Sequence, residues 1–279
     1  MSLMLVLLIQ AQEPTLEDRI AAFIKGDAAA RESLLKHGAP AIRPLLKERD
    51  KAPEKIEELL FEIRARVAHP KDTPLVEKLR KPASVKLHKS KFEDALGFVR
   101  EFCGVPVVVD RWEAKDLLAE EVTVEVGREP VRRALDLICR QTGLDYGIFH
   151  NAVVVGKPER LWPAEKARAA FGPPAAERQH KTPDDEQLLK RLRELKVDMD
   201  FQNQPLSGVA GYLKEFTGIG VETGEETGAA KLTFKLRGCT LYDSLCLLTQ
   251  TRDLDFMIRD GKIAIDKREA LEKPAGKTK

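Results

Sequence analysis

The stretch LDYGIFHNAVVV, Leu144–Val155, decides how the chain is read, because LDFMIRDGKIAI, Leu254–Ile265, follows the same plan. Each opens with Leu-Asp-aromatic, continues through Ile148 or Ile258, passes a polar pair and ends in an apolar alternation. Asp260-Gly261 is a pair suited to a two-residue hairpin turn. His150-Asn151 occupies the same place, and Asn tolerates the positive φ such turns require. Each stretch therefore reads as a closing hairpin, with Leu144, Tyr146 and Ile148 on one apolar face.

The match extends backwards from the hairpins. The segment FEDALGFVREFCG, Phe92–Gly104, aligns with LSGVAGYLKEFTG, Leu206–Gly218. Phe92, Ala95, Leu96, Val99 and Phe102 form one helical stripe, matched by Leu206, Val209, Ala210, Leu213 and Phe216. Gly104 and Gly218 stand where a helix takes a left-handed C-terminal residue. Ser90-x-x-Glu93 reads as a capping box in the first copy, and Pro205 supplies the helix start in the second. Next, Val122–Val126 (VTVEV) pairs with Leu232–Leu236 (LTFKL), both alternating with period two. A second helix carries Val131, Ala134, Leu135, Ile138 and Cys139 against Leu241, Ser244, Leu245, Leu248 and Thr249. The repeat is thus βαββαββ, and the fold class is α+β.

These blocks, with the strand MDFQNQPL (Met199–Leu206), KLTFKLRGCTLYDSL and the closing hairpin, resemble the secretin and TonB short N-terminal domain. The first copy departs from that pattern by a longer loop, Asp110 to Glu121, and the second has Asp253 in place of Gly143. Neither a secretin pore nor an outer-membrane barrel pattern follows the second copy, so only the module carries over. The resemblance implies a non-catalytic contact domain of the cell envelope.

The remaining segments fall around these modules. Residues 13–68 are rich in Ala, Leu, Glu, Lys and Arg and read as helical; LLKHGAPAIRPLLKERD resembles a HEAT-type helix pair, with Gly38 ending one helix and Pro40 opening the next. Ile56, Leu59, Leu60 and Ile63 make an amphipathic stripe. The first module spans residues 84–156 and the second 187–267. Residues 157–186 hold Pro158, Pro163, Pro173, Pro174 and Pro183 and read as a Pro-rich linker, with a helical turn at Ala164–Ala170 and Trp162 docking onto a neighbouring domain. Residues 268–279 form a polar tail. At the other end, residues 1–12 read as a signal peptide: Leu3–Ile9 matches a short apolar region, with cleavage after Ala11. The alternatives are a buried first strand or helix, or a misplaced start codon. The expected location is periplasmic or otherwise exported, and cytoplasmic if the apolar run is not a signal. No later stretch has the roughly 20 apolar residues of a membrane span.

Composition and motifs narrow the chemistry. In 279 residues, 47 Lys and Arg nearly cancel 45 Asp and Glu, so the net charge of +2 carries no nucleic-acid footprint. A nucleic-acid surface around Lys231, Lys235, Arg237 and Arg259 is the second reading, set against a solvated sheet face. His37, His69, His88, His150 and His180 form no metal-ligand pair. Cys103, Cys139, Cys239 and Cys246 contain no C-x-x-C. The helices bearing Cys103 and Cys139 are expected to pack together, which allows a disulfide after export. Cys239 and Cys246, if both helical, stand about 10 Å apart and do not bridge. Asp145 and Asp255 recur without a partner carboxylate and read as solvated strand-edge or capping residues. No catalytic, cofactor-binding or metal residue is assigned, no cofactor and no small-molecule substrate. The expected partner is a protein, from the envelope or a secretion component.

Overall fold

The computed structural model describes residues 13–110, 117, 119–163, 174–178 and 182–272. The leader, the turn expected at Ala164–Ala170, His180 and the end of the polar tail lie outside them. The chain divides into residues 1–67 and 68–279.

The first unit is helical: α1 (Leu16–Ile24), α2 (Ala28–His37), α3 (Ile42–Glu48) and α4 (Pro53–Val67). Local chemistry sets its boundaries. Thr15 and Asp18 form a capping box at the start of α1, and the Asp27 carboxylate accepts from Ala29 and Ala30 N–H at the start of α2. Gly38, at φ 71°, ends α2 and leads into a short turn containing Pro40. The α4 stripe of Ile56, Leu59, Leu60 and Ile63 is buried with Leu34, Ile42 and Leu45.

The second unit is α+β. Helix α5 (Thr73–Arg80) precedes β1 (Pro82–Lys91), α6 (Phe92–Phe102), β2 (Val107–Val109), β3 (Glu121–Pro130), α7 (Val131–Thr142), β4 (Asp145–Phe149) and β5 (Ala152–Gly156). The short helices α8 (Pro158–Leu161) and α9 (Ala175–Arg178) follow. Then come α10 (Pro183–Glu194), β6 (Lys196–Pro205), α11 (Leu206–Thr217), β7 (Val221–Thr223), α12 (Glu225–Gly228), β8 (Lys231–Thr240), α13 (Leu241–Gln250), β9 (Leu254–Arg259), β10 (Lys262–Lys267) and α14 (Arg268–Glu272). The helices α5 and α10, one before each module, were not foreseen. Residues 183–186, expected in the linker, open α10, where Thr182 and Asp185 form a capping box behind Pro183.

The same pairings occur in both halves. β1 pairs antiparallel with β3, and β6 with β8. The other sheets run β2-β5-β4 and β7-β10-β9, each with one parallel and one antiparallel neighbour. Register shifts fall between Leu87 and Ser90 and between Phe201 and Gln204, at equivalent positions. Strands run into helices without a loop, closed by a matching backbone bond: Phe92 N–H donates to Glu120 O at 2.7 Å, and Leu206 N–H to Ala230 O at 2.9 Å. That direct passage displaces the expected Ser90-Glu93 capping box. Ser90 stays in β1 opposite Val122, and Lys91 begins α6 with no side-chain cap.

Left-handed backbone positions recur as well. Lys89 (φ 46°) answers Asn203 (52°), Arg128 (54°) answers Gly238 (67°), and Gly104 (62°) answers Gly218 (70°). The hairpin turns are His150-Asn151 (50°, 57°) and Asp260-Gly261 (51°, 69°). Gly143 (68°), which ends α7, answers Asp253 (59°). A Cβ added at Gly143 meets nothing within 4 Å, so its substitution carries only the conformational cost. Gly143→Ala is expected to destabilise by about 1–2 kcal/mol. Asp253→Gly is expected to be neutral or to stabilise by up to about 1 kcal/mol. Urea unfolding of both variants checks the pair; equal effects of one sign would contradict the shared geometry.

Candidate interaction surface

The aspartates that open the closing hairpins are buried, at 1% exposure for Asp145 and 0% for Asp255. This corrects the expectation of solvated side chains. Strand β4 is covered on both faces, so Asp145 has no water to face and needs a protein donor. Trp162 Nε1–H donates to it at 2.6 Å. The indole also packs against Phe149, with ring centroids 5.6 Å apart. Trp162 therefore docks onto the first module, the domain that precedes the linker. Asp255 accepts from Ala175 N–H at 3.0 Å and from Arg268 Nε–H at 2.5 Å. In both modules the same carboxylate holds down chain that follows or precedes the hairpin.

The two modules meet through polar groups. Arg160 donates to the Asp110 carboxylate and, at 2.8 Å, to Gln250 O. His150, at the β4–β5 turn, places Nε2 3.2 Å from Gln250 Oε1 and Nδ1 3.9 Å from Asp243 Oδ1. Its ring stands edge-on to Tyr242, with centroids 6.3 Å apart. Asn151 N–H donates to Asp72 Oδ1 at 2.7 Å, while the buried Asp72 Oδ2 has no partner. Burial holds the His150 imidazole below its ordinary value of 6.5, against the opposite pull of Asp243 and Asp72. Burial likewise raises Asp72. Beside this cluster, Tyr242 O–H donates to Glu177 Oε1 at 2.6 Å, and the Arg193 guanidinium covers the Tyr242 ring at 5.2 Å.

The cysteines are all free. Cys139 is buried in α7 and Cys103 half-buried at the end of α6. Cys239 lies in β8 and only Cys246 in a helix, so the spacing argument for two helical residues does not apply. Burial pushes the Cys239 thiol up to about 12 and raises Cys246 well above its usual range, so both are protonated at neutral pH. Among the described residues, no group of three or more His, Cys, Asp or Glu is placed to hold a metal ion. Of the remaining histidines, His69 Nδ1 accepts from Lys71 N–H, His37 ends α2 and His88 is exposed on β1. Lys235 and Arg237 are paired with Glu101 of α6 at 3.1 and 3.5 Å.

The surface is less ordinary than the interior. Among the described residues the bare large apolar side chains are Val67, Phe102, Tyr212 and Phe216. The last three occupy equivalent flanks of α6 and α11. Phe98 and Phe102 stack with centroids 4.8 Å apart, and their counterparts Tyr212 and Phe216 with centroids 5.9 Å apart. Phe102 is 68% exposed and Phe216 57%, against the expectation that both complete the buried stripe. At 100° per residue, the tenth position on from Phe92 or Leu206 lies about 80° round from it and about 20° beyond Ala95 or Val209, at the edge of the stripe, and both rings sit in the last turn of their helices. A side chain i+4 from another is its neighbour on the helix surface, so each bare ring lies against a second one.

In the second module this flank borders a groove of about 540 Å³ lined by Asp200, Phe201, Gln202 and Gln204 of β6 and Gly208, Val209 and Tyr212 of α11. Phe201 meets Tyr212 edge to face at 5.4 Å. The equivalent of Phe201 in the first module is the half-buried Leu87. β1 and β6 each have a single strand neighbour among the described residues, so the backbone on their other side is unpaired by any strand. No family profile, curated protein or solved structure matches the chain.

Two predictions follow from the buried groups. Asp255→Ala strips a half-buried cation and a buried amide of their acceptor and is expected to cost about 3 kcal/mol. Asp145→Ala orphans a neutral indole N–H and is expected to cost about 1–3 kcal/mol. Urea unfolding of both variants ranks the two, and a larger loss for Asp145→Ala would contradict the charge argument. The His150 sign is that of a depressed cation: the unfolded chain takes up the proton first, so stability is held above pH 6.5 and falls as pH drops below it. Asp72 acts oppositely, from its raised value down to 3.8, and the effect of His150 begins in the window just below 6.5. His150→Asn keeps a turn residue suited to positive φ and is expected to flatten the urea midpoint against pH in that window.

Proposed function

We propose that this is a non-enzymatic envelope protein that works through protein–protein contact. Its two modules, of secretin and TonB short N-terminal type, are the contact domains, and the helical N-terminal unit accompanies them as part of a scaffold. The recurrence of a stacked aromatic pair at the same place in both modules, with Phe102 bare in the first and Tyr212 and Phe216 bare in the second, carries this reading. Single exposed apolar residues are common, but clustered ones beside an open strand mark places where another surface is received. The interior supports the same view: Asp145, Asp255 and His150 are engaged in holding elements together, and burial keeps the thiols of Cys239 and Cys246 protonated. An extended partner segment added along β1 or β6 would gain backbone hydrogen bonds from the strand and side-chain contact from the rings. The nucleic-acid reading is weakened because Lys235 and Arg237 already face Glu101. Among the described residues no helix is long and apolar enough to cross a membrane.

A photo-crosslinking residue at position 212, expressed in the native cell, tests this. The expected result is a discrete protein adduct in the envelope fraction, absent when Phe102 and Phe216 are both changed to Ser, with a mature N-terminus beginning after Ala11. Recovery of the chain only as an uncrosslinked cytosolic monomer would overturn the reading.

A further inference from the structure

The two aromatic flanks share a geometry but not a charge. The strand beside the first flank, β1, carries Lys86, Lys89 and Lys91 and no acidic residue. The strand beside the second, β6, carries Asp198 and Asp200, with Lys196 at its far end. Lys86 and Asp200 are equivalent positions, opposite Glu125 and Lys235 in their own sheets. Their existing ion pairs are Lys86 with Glu125 at 3.0 Å and Asp200 with Lys235 at 3.8 Å; all but Lys235, which is half-buried and also pairs with Glu101 at 3.1 Å, are exposed side chains. Such pairs contribute at most about 1 kcal/mol and leave the charges available to a new neighbour.

We propose that the occupant of these faces is a second copy of this chain, with β1 of one copy laid along β6 of the other. This rests on the contact-module reading above and names its partner. The contact would join the two-stranded sheets into one of order β3-β1-β6-β8. It would bring Leu87, Phe98 and Phe102 of one copy against Phe201, Tyr212 and Phe216 of the other. The groove is lined by β6 and α11 alone, with no residue of β8, so it runs along the side of β6 that a new strand would approach.

Charge selects this arrangement over its alternatives. β6 against β6 sets Asp198 and Asp200 against themselves, and β1 against β1 does the same with three lysines; like charges facing across strands are destabilising. Lysines on an open edge ordinarily repel other strands, but not one that carries carboxylates. The bulges at Lys89 and Asn203, both with φ near 50°, interrupt each edge. They confine regular pairing to the stretch before them, which fixes register. The contact joins two different surfaces, so it either closes as a two-fold pair that uses both faces twice or continues head to tail.

The test uses the purified full chain in sedimentation velocity over a range of concentrations, with circular dichroism to confirm that each variant is folded. The wild type is expected to self-associate. Phe102→Ser with Phe216→Ser, at exposed positions that do not support the core, is expected to weaken association by at least about tenfold. Lys86→Glu alone and Asp200→Lys alone are each expected to abolish it, while an equimolar mixture of those two variants associates again, since one supplies an intact β6 and the other an intact β1. A wild type that stays monomeric, association untouched by these changes, or failure of the mixture to recover would overturn the proposal. A monomeric pure chain together with an adduct to a different protein at position 212 in the envelope sinks the self-contact and leaves the contact-module reading standing; absence of both sinks both.

Discussion

A carboxylate at the mouth of each closing hairpin governs how the second unit is assembled. Asp145 and Asp255 are almost wholly buried, and a buried carboxylate has to be met by donors or it destabilises its surroundings by several kcal/mol. The chain meets that demand twice with different chemistry. In the first module an indole from just past β5 supplies the donor. In the second, an arginine from just past β10 and a main-chain amide of α9 supply it. Because Trp162 is fixed in this way, Arg160 two residues earlier is delivered to Asp110 and to the end of α13. The segment that leaves the first module thereby touches the second, and the Pro-rich stretch is tied down at both of its described ends.

The backbone is more regular than the side chains that build it. The same left-handed positions appear in both modules, filled by lysine or asparagine at one bulge, arginine or glycine at the other, and glycine or aspartate at the end of the second helix. Glycine meets this geometry without strain, and aspartate and asparagine meet it at small cost. Lysine and arginine do so only where the surrounding pairing over-determines the turn. Cross-strand hydroxyls do that work: Lys89 N–H donates to Thr123 Oγ1 at 3.1 Å and Arg128 N–H to Ser84 Oγ at 3.2 Å.

This regularity explains what could be read in the residue order. The alternations, the helical stripes, Gly104, Gly218 and the two hairpin turns all leave a periodic or compositional mark, and the α+β class follows from them. The buried aspartates leave none: nothing in Leu-Asp-aromatic distinguishes a solvated carboxylate from one that Trp162 will cover, because the covering residue is far along the chain. Ser90-x-x-Glu93 has the letters of a cap, but β1 runs straight into α6 and leaves no room for one. Phe102 and Phe216 extend an apolar pattern arithmetically, but they stand in the last turn of each helix, where burial has stopped. Helices α5 and α10 were hidden by prolines that signal breaks and also open helices.

The position of those phenylalanines bears on what kind of contact the molecule makes. Fully covering one such ring is worth about 1.5–3 kcal/mol, and association of two bodies costs about 4–15 kcal/mol before any surplus appears. Two stacked pairs with their neighbours Leu87 and Phe201 reach that scale together, while one ring does not. Clustering is therefore what turns exposed apolar surface into a contact, and its repetition in both modules doubles the available area. The charges add discrimination more than strength, since exposed ions contribute little affinity but strongly disfavour mismatched approach. A chain with one flank beside lysines and an equivalent flank beside aspartates has made its two like-shaped surfaces unlike in the property that selects a neighbour.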